Sequence, residues 1–443
     1  MFKSVLAWLA AGLICVGAPA AELQPVRTLA GITEYKLDNG LQLLLMPVPG
    51  SGRTFVTVTY KVGSRMEGPG EAGMAHLLEH VTFRGTRDEQ GQGVDLGIEI
   101  HKLAPSANGH TTQDLTNYSE NFVPDVSVLR HLLALEAQRM QRARLDAEDF
   151  EKEKPIVLNE MGMRGEQLSE QMSEALHTGA FARHPYRSPV IGTIADIEHL
   201  QLATLRAFYE KFYRPDNAVL MIAGEFDEVQ TLAAVQENFG VLPRPATPIS
   251  TLTSVEPPQA EPRVVTLHTA QTSVAVGYHV PNMADPQAAA LMVWSQLMAL
   301  MTGPIAVGPS DHPVVTNFWQ ASHDPTLVGA AVTLRGRKTD DARAREALAK
   351  QAQEWAEGIE HFGLYNGSDE RQLQIMIEEA RSEWSQALRA PGPASERIST
   401  AIGAGDWRLA YSCWTICRAS IRPMSPMLPT PICAHAIAPW SLA

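Results

Sequence analysis

EAGMAHLLEHVTFRGT, residues 71–86, carries His76, Glu79 and His80 in an H-x-x-E-H arrangement. Ala, Met, Leu and Glu favour helix here, which sets the two histidines at i and i+4. Both imidazoles then project from one face about a turn apart, where they can share one metal ion. Glu79 falls on the same side, close enough to reach an attacking water without being a ligand. Zinc takes nitrogen or anionic ligands in a tetrahedral shell, and a catalytic site leaves one position to water. The plainer alternative is a half-buried amphipathic helix with two satisfied histidines. It accounts for Leu77, Leu78 and Val81 but not for Glu79 on the histidine face.

Two histidines do not hold a catalytic zinc, so a third ligand is needed. The segment EDFEKEKPIVLNEMGMR, residues 148–164, offers Glu151, Glu153 and Glu160. Glu153 and Glu160 are two helical turns apart and share a face. Glu160 is then the candidate ligand, with Glu153 behind it as the partner of a histidine or of the water. A solvated acidic face is the competing reading, and it suits Glu151 with Lys152 and Lys154. Pro155 either kinks this helix or begins it.

Outward from these segments, 443 residues call for two or more domains. A hydrophobic fraction of 45% and a charged fraction of 19% are ordinary for a globular protein. The net charge of −13, with no Lys/Arg-rich block, excludes a nucleic-acid binder from the expected classes. Residues 1–20 read as a signal peptide: a positive start at Lys3, an apolar stretch from Val5 to Val16, and Ala18-Pro19-Ala20 as the cleavage pattern. The expected product is exported, with no membrane span after cleavage.

The body alternates strands and helices. Strands are expected at Leu41 to Val48, Thr54 to Val62 and Asn217 to Gly224, and an extended stretch at 105–119. Helices are expected at Val94 to Leu103, Val126 to Arg144, Asp146 to Met163 and about 227–239. Proline-rich residues 241–262 read as a linker. Beyond it the order restarts, with strands at 263–280 and 328–337 and helices from Pro286, at 340–362 and at 368–390. The expected fold class is α+β: two similar domains, 30–240 and 263–409, each a mostly antiparallel sheet with helices packed on it. Only the first carries the H-x-x-E-H pattern.

Residues 410–443 differ in character. They hold Cys413, Cys417 and Cys433, every cysteine beyond the signal, and show no apolar period. Three cysteines cannot all pair within the chain. The expectation is an aberrant, poorly ordered tail, with the natural reading frame lost near Tyr411.

HLLEHVTFRGT, SANGHTT, EKEKPIVLNE and HPYRSPVIGTIADI with FYRPDNAVLMIAGEF together resemble the pitrilysin/insulinase family of zinc peptidases, relatives of the mitochondrial processing peptidase. The resemblance runs from about residue 30 to about 410, with GAGDWRL at 403–409 near its end. It implies a zinc-dependent endopeptidase acting on peptides or unfolded segments, with one Zn2+ per chain and a periplasmic location. His76, His80 and Glu160 match the metal ligands, and Glu79 the general base that deprotonates a zinc-activated water. Glu153 matches an assisting glutamate. Asn108, Gly109, His110 and Thr111 match a substrate-binding strand, with glycine where the family has alanine. A peptide would add to that strand through its backbone. Family enzymes close a clamshell from two halves, each of about this length. The resemblance therefore implies either a homodimer or a second family half as partner. A non-catalytic assembly subunit, or a truncated copy that needs a partner, is the alternative function.

Overall fold

A computed structural model describes residues 23–250, 255–261, 263–268, 272–288, 313–319, 321–334, 370–411 and 432–437, with residues 291 and 350. Its first sheet uses β1 (Pro25–Leu29), β2 (Ile32–Lys36), β3 (Gln42–Pro47) and β4 (Thr54–Tyr60). After a separate small pair, β5 (Thr86–Arg87) and β6 (Gly93–Val94), it adds β7 (Ser106–Thr111), β8 (Thr116–Phe122) and β9 (Ala218–Gly224). The order is β1-β2-β3-β9-β4-β8-β7, antiparallel except where β3 runs parallel to β9. The second sheet joins β10 (Arg263–His268), β11 (Thr272–Val280), β12 (Pro313–Trp319), β13 (Thr326–Leu334) and β14 (Ile432–Ile437) in the order β10-β14-β11-β13-β12. Only β10 and β14 are parallel there.

QLLLMP and AVLMIAG lack polar alternation, a pattern that calls for burial on both faces. They become β3 and β9, and their residues divide between two cores. Leu43, Leu45, Leu220 and Ile222 face one cluster with α1 (Met74–Arg84), α2 (Leu96–Leu103) and α3 (Val126–Arg142). Leu44, Met46, Val219 and Met221 face the other, under the helix Pro391–Gly403 with Ile398, Ile402 and Trp407. Next along the chain from α3 come α4 (Ala147–Gly165) and α5 (Leu168–Ala180).

The covering helices cross the expected division at 241–262. The helix Pro391–Gly403, from beyond the linker, roofs the first sheet, where Thr59 donates to Ser399 at 3.0 Å. Conversely α5, from before the linker, packs Met172, Ala175 and Leu176 on Ala275 and Leu327 of the second sheet. The reason is topological: each sheet needs a face covered, and the helix that covers it is supplied by the other segment. The described part of the linker has no helix or strand but is pinned, because Glu256 accepts from the backbone N–H groups of Ala182, Arg183 and His184.

Three expectations need correction. Residues 410–411 pack in the second cluster, and Ile432–Ile437 form β14 between β10 and β11, so the tail is not wholly outside the fold. Main-chain pairing tolerates many side chains, which is why no apolar period announced this strand. Of the two placements expected for Pro155, the start of the helix is overturned: α4 runs through it, and Glu153 stays helical. No element was expected at 168–180 or 391–403, where α5 and the last helix lie. The helices expected at 340–362 and beyond Pro286 fall almost wholly outside the described residues.

Candidate metal centre

α1 starts at a tight corner. Gly73 has φ 91°, and a Cβ there would meet the Ile191 carbonyl oxygen at 2.6 Å. The buried Glu67 carboxylate accepts from the Gly73 and Ala75 N–H groups at 3.1 and 2.8 Å, satisfying two free donors of the first turn. Burial pushes Glu67 up to about 8, against the pull of those two donors. Leu77, Leu78 and Val81 anchor the helix in the core and leave His76, Glu79 and His80 on the side facing α4 and β7.

His76, His80 and Glu160 each present a donor atom, and these atoms all lie within 4.8 Å of one another. Among the described residues no other group of three such side chains does so. Glu160 Oε2 is 3.8 Å from His76 Nε2 and 3.5 Å from His80 Nε2. The second Glu160 oxygen pairs with Arg164 at 2.8 Å, one helical turn on. Glu153 turns from the same helix to the far side of His80, with Oε2 3.0 Å from Nδ1, and its other oxygen accepts from Arg84. With Nδ1 turned to Glu153, Nε2 is the nitrogen that faces Glu160. Burial, and next His80, push the His76 imidazole down to about 4, so it is neutral at ordinary pH. Burial would lower His80 as well, but the bond to Glu153 and the charges of Glu79, Glu153 and Glu160 outweigh it and raise it. Glu153 itself is lowered, since bonds from His80 and Arg84 overcome burial. Two imidazole nitrogens and one carboxylate oxygen converging in this way suit a tetrahedral zinc site with a fourth position open.

Glu79, 7% exposed, lies beside these three without joining them. Its Oε2 accepts from Thr111 Oγ1 at 2.7 Å. Burial raises its pKa, opposed by the Thr111 bond and by His80. Gly109 sits under the same carboxylate: a Cβ there would come within 2.6 Å of Glu79 Oε1 and 2.5 Å of Phe83 Cε2. β7, which holds both residues, is an edge strand of its sheet. Asn108 and His110, the alternate residues of β7, are exposed on the opposite face from Gly109 and Thr111. Sequence reasoning passed over Arg84 and Arg164. Each stands four residues after a site residue, His80 and Glu160, which is the signal that would have found them.

A model described as "Insulinase (Peptidase family M16)" matches residues 49–194, and one described as "Peptidase M16 inactive domain" matches residues 199–304. An uncharacterized zinc protease of Mycobacterium leprae is 30% identical over 220 residues, 50% of this chain and 48% of that protein. The mitochondrial-processing peptidase subunit beta of Saccharomyces cerevisiae is 25% identical over 373 residues, 80% of this chain and 73% of that protein. The match spans 48% to 58% of the mycobacterial relatives' own length. In fold, a protease from Helicobacter pylori superposes with a TM-score of 0.74 at 20% identity, covering 92% of this chain and 99% of that one. The periplasmic protease PqqL from Escherichia coli gives 0.69 at 17% identity, covering 94% of this chain but 48% of that one.

Proposed function

This chain belongs to the insulinase family, peptidase family M16, and from that membership we propose that it is a zinc-dependent endopeptidase of peptides or unfolded segments. The observation that carries the reading is the convergence of His76, His80 and Glu160 within 4.8 Å, with Glu79 beside them. A zinc ion held by these three residues, one per chain, would polarise the scissile carbonyl and acidify water. Glu79 then takes the proton of the attacking water and passes it to the leaving amine. Burial raises its pKa, the direction that strengthens it as a base. Glu153 holds the His80 ring through Nδ1, and the free edge of β7, with Asn108 and His110 exposed on it, offers backbone pairing to an extended peptide. Export to the periplasm fits the expected signal at residues 1–20, and no helix among the described residues is long and apolar enough to cross a membrane.

The second reading is a half that needs a partner, a second copy or a separate family half. It draws on the limited span of the relatives matched and on the inactive-domain model over residues 199–304. One experiment separates the two: hydrolysis of a quenched-fluorescence peptide mixture by the purified chain, with and without chelator, beside Glu79→Gln. Chelator-sensitive cleavage that Glu79→Gln loses by roughly 100-fold or more supports the peptidase reading. Zinc bound at one per chain without cleavage supports the partner-dependent half, and neither zinc nor cleavage sinks both.

A further inference from the structure

We infer that Thr111 is a positioning residue for the Glu79 base, and not a reader of substrate. Resting on the peptidase reading above, the inference adds a role for β7 beyond its free edge. Among the described residues, the Thr111 hydroxyl makes the only hydrogen bond to the Glu79 side chain, at 2.7 Å, and both residues are 7% exposed. A carboxylate only accepts, so the single Thr111 proton is committed to Glu79 Oε2. The neighbouring Thr116 hydroxyl, 3.4 Å from Thr111, has its own proton committed to the Val62 carbonyl at 3.0 Å and so does not compete as a donor. A β-branched side chain in a strand has little freedom at χ1, so the Thr111 donor holds one direction.

Gly109, two residues back on the same face of β7, completes the device. The space its missing Cβ leaves is where Glu79 Oε1 and the Phe83 ring edge lie. One oxygen of the base is therefore tied to the strand while the other lies over a gap that any larger residue would fill. β8 holds β7 at this height, pairing Gly109 with Tyr118 and Thr111 with Thr116. Without the tie, the carboxylate can turn about its last bond, and the fraction of time it faces the attacking water falls.

The test compares Thr111→Val, which keeps the shape and loses the donor, with Thr111→Ser, which keeps the donor. The expected result for Thr111→Val is kcat lower by roughly 10- to 100-fold, with KM and zinc content unchanged. Thr111→Ser should recover most of that loss. Crystal structures of the zinc-loaded wild type and Thr111→Val should show the Glu79 carboxylate turned in the variant. An unchanged kcat, or a rise in KM alone, overturns the inference while leaving the peptidase reading in place. If the wild type cleaves nothing but the carboxylate still turns in Thr111→Val, the peptidase reading fails and the positioning stands. A carboxylate that keeps its place in the variant overturns the positioning.

Discussion

Glu153 is 3% exposed and has each oxygen engaged, one by His80 Nδ1 and one by Arg84. At the scale of single residues it is the contact that fixes which nitrogen of His80 faces Glu160. Replacing it with Gln removes the charge and one acceptor without changing size. Zinc affinity of Glu153→Gln should fall roughly 10- to 100-fold in competition with a chromophoric chelator. An affinity equal to the wild type would show that His80 keeps its orientation unaided. Helix spacing made much of this legible beforehand: i and i+4 on α1, and a seven-residue step on α4, are set by 3.6 residues per turn. The Thr111 contact was not legible, because it joins a strand to a helix through side chains 32 residues apart.

α1 depends on how its first turn is closed, and Glu67 closes it from outside the helix. Glu67→Ala leaves two N–H groups of that turn without a partner, so we expect a loss of about 1–3 kcal/mol in urea denaturation. Glu67→Gln removes the ionisable group and keeps one of its two acceptors, so the pH dependence of its stability relative to the wild type reports the titration. With its folded pKa raised to about 8, Glu67 stays protonated in the fold while it ionises in the unfolded chain above about 4.5. Its contribution is thus fully present at acid pH and lost as pH rises towards about 8. The stability of the wild type relative to Glu67→Gln should decline between pH 5 and 8 and then level off; a gap independent of pH would contradict this. Among elements, the two all-apolar strands and the four early helices could be read from periodicity. The helices α5 and Pro391–Gly403 could not, because what they cover lies on another stretch of chain.

Across the whole molecule, a polar cluster ties the segment that holds the candidate metal centre to the second sheet. Tyr186 donates to Asp114, 2.8 Å from each oxygen, and accepts from the Asp324 N–H at 3.1 Å. Arg65 pairs with Asp114 at 2.8 Å, and Asp324 pairs with His184 at 3.2 Å and with His323 at 3.0 Å. These partners hold Asp324 well below the usual carboxylate range, although burial opposes them. His184 sits in this cluster, while His279 packs edge-on against Phe181. Tyr186→Phe leaves the Asp324 N–H unpaired and takes one donor from Asp114. We expect it to cost about 1–3 kcal/mol and to raise hydrogen exchange in β13 more than in β9. Equal exchange in both strands would mean that the cluster does not join the two sheets.

Local rules settled which side chains share a face of α1 or α4 and which strands lie buried on both sides, since those depend only on backbone period and on apolar content. They did not settle which helix roofs which sheet, how Glu67 and Thr111 reach α1, or where β14 enters the second sheet. Those arrangements need residues tens to hundreds of positions apart to meet, and the free energy that brings them together is shared burial, which no single segment encodes.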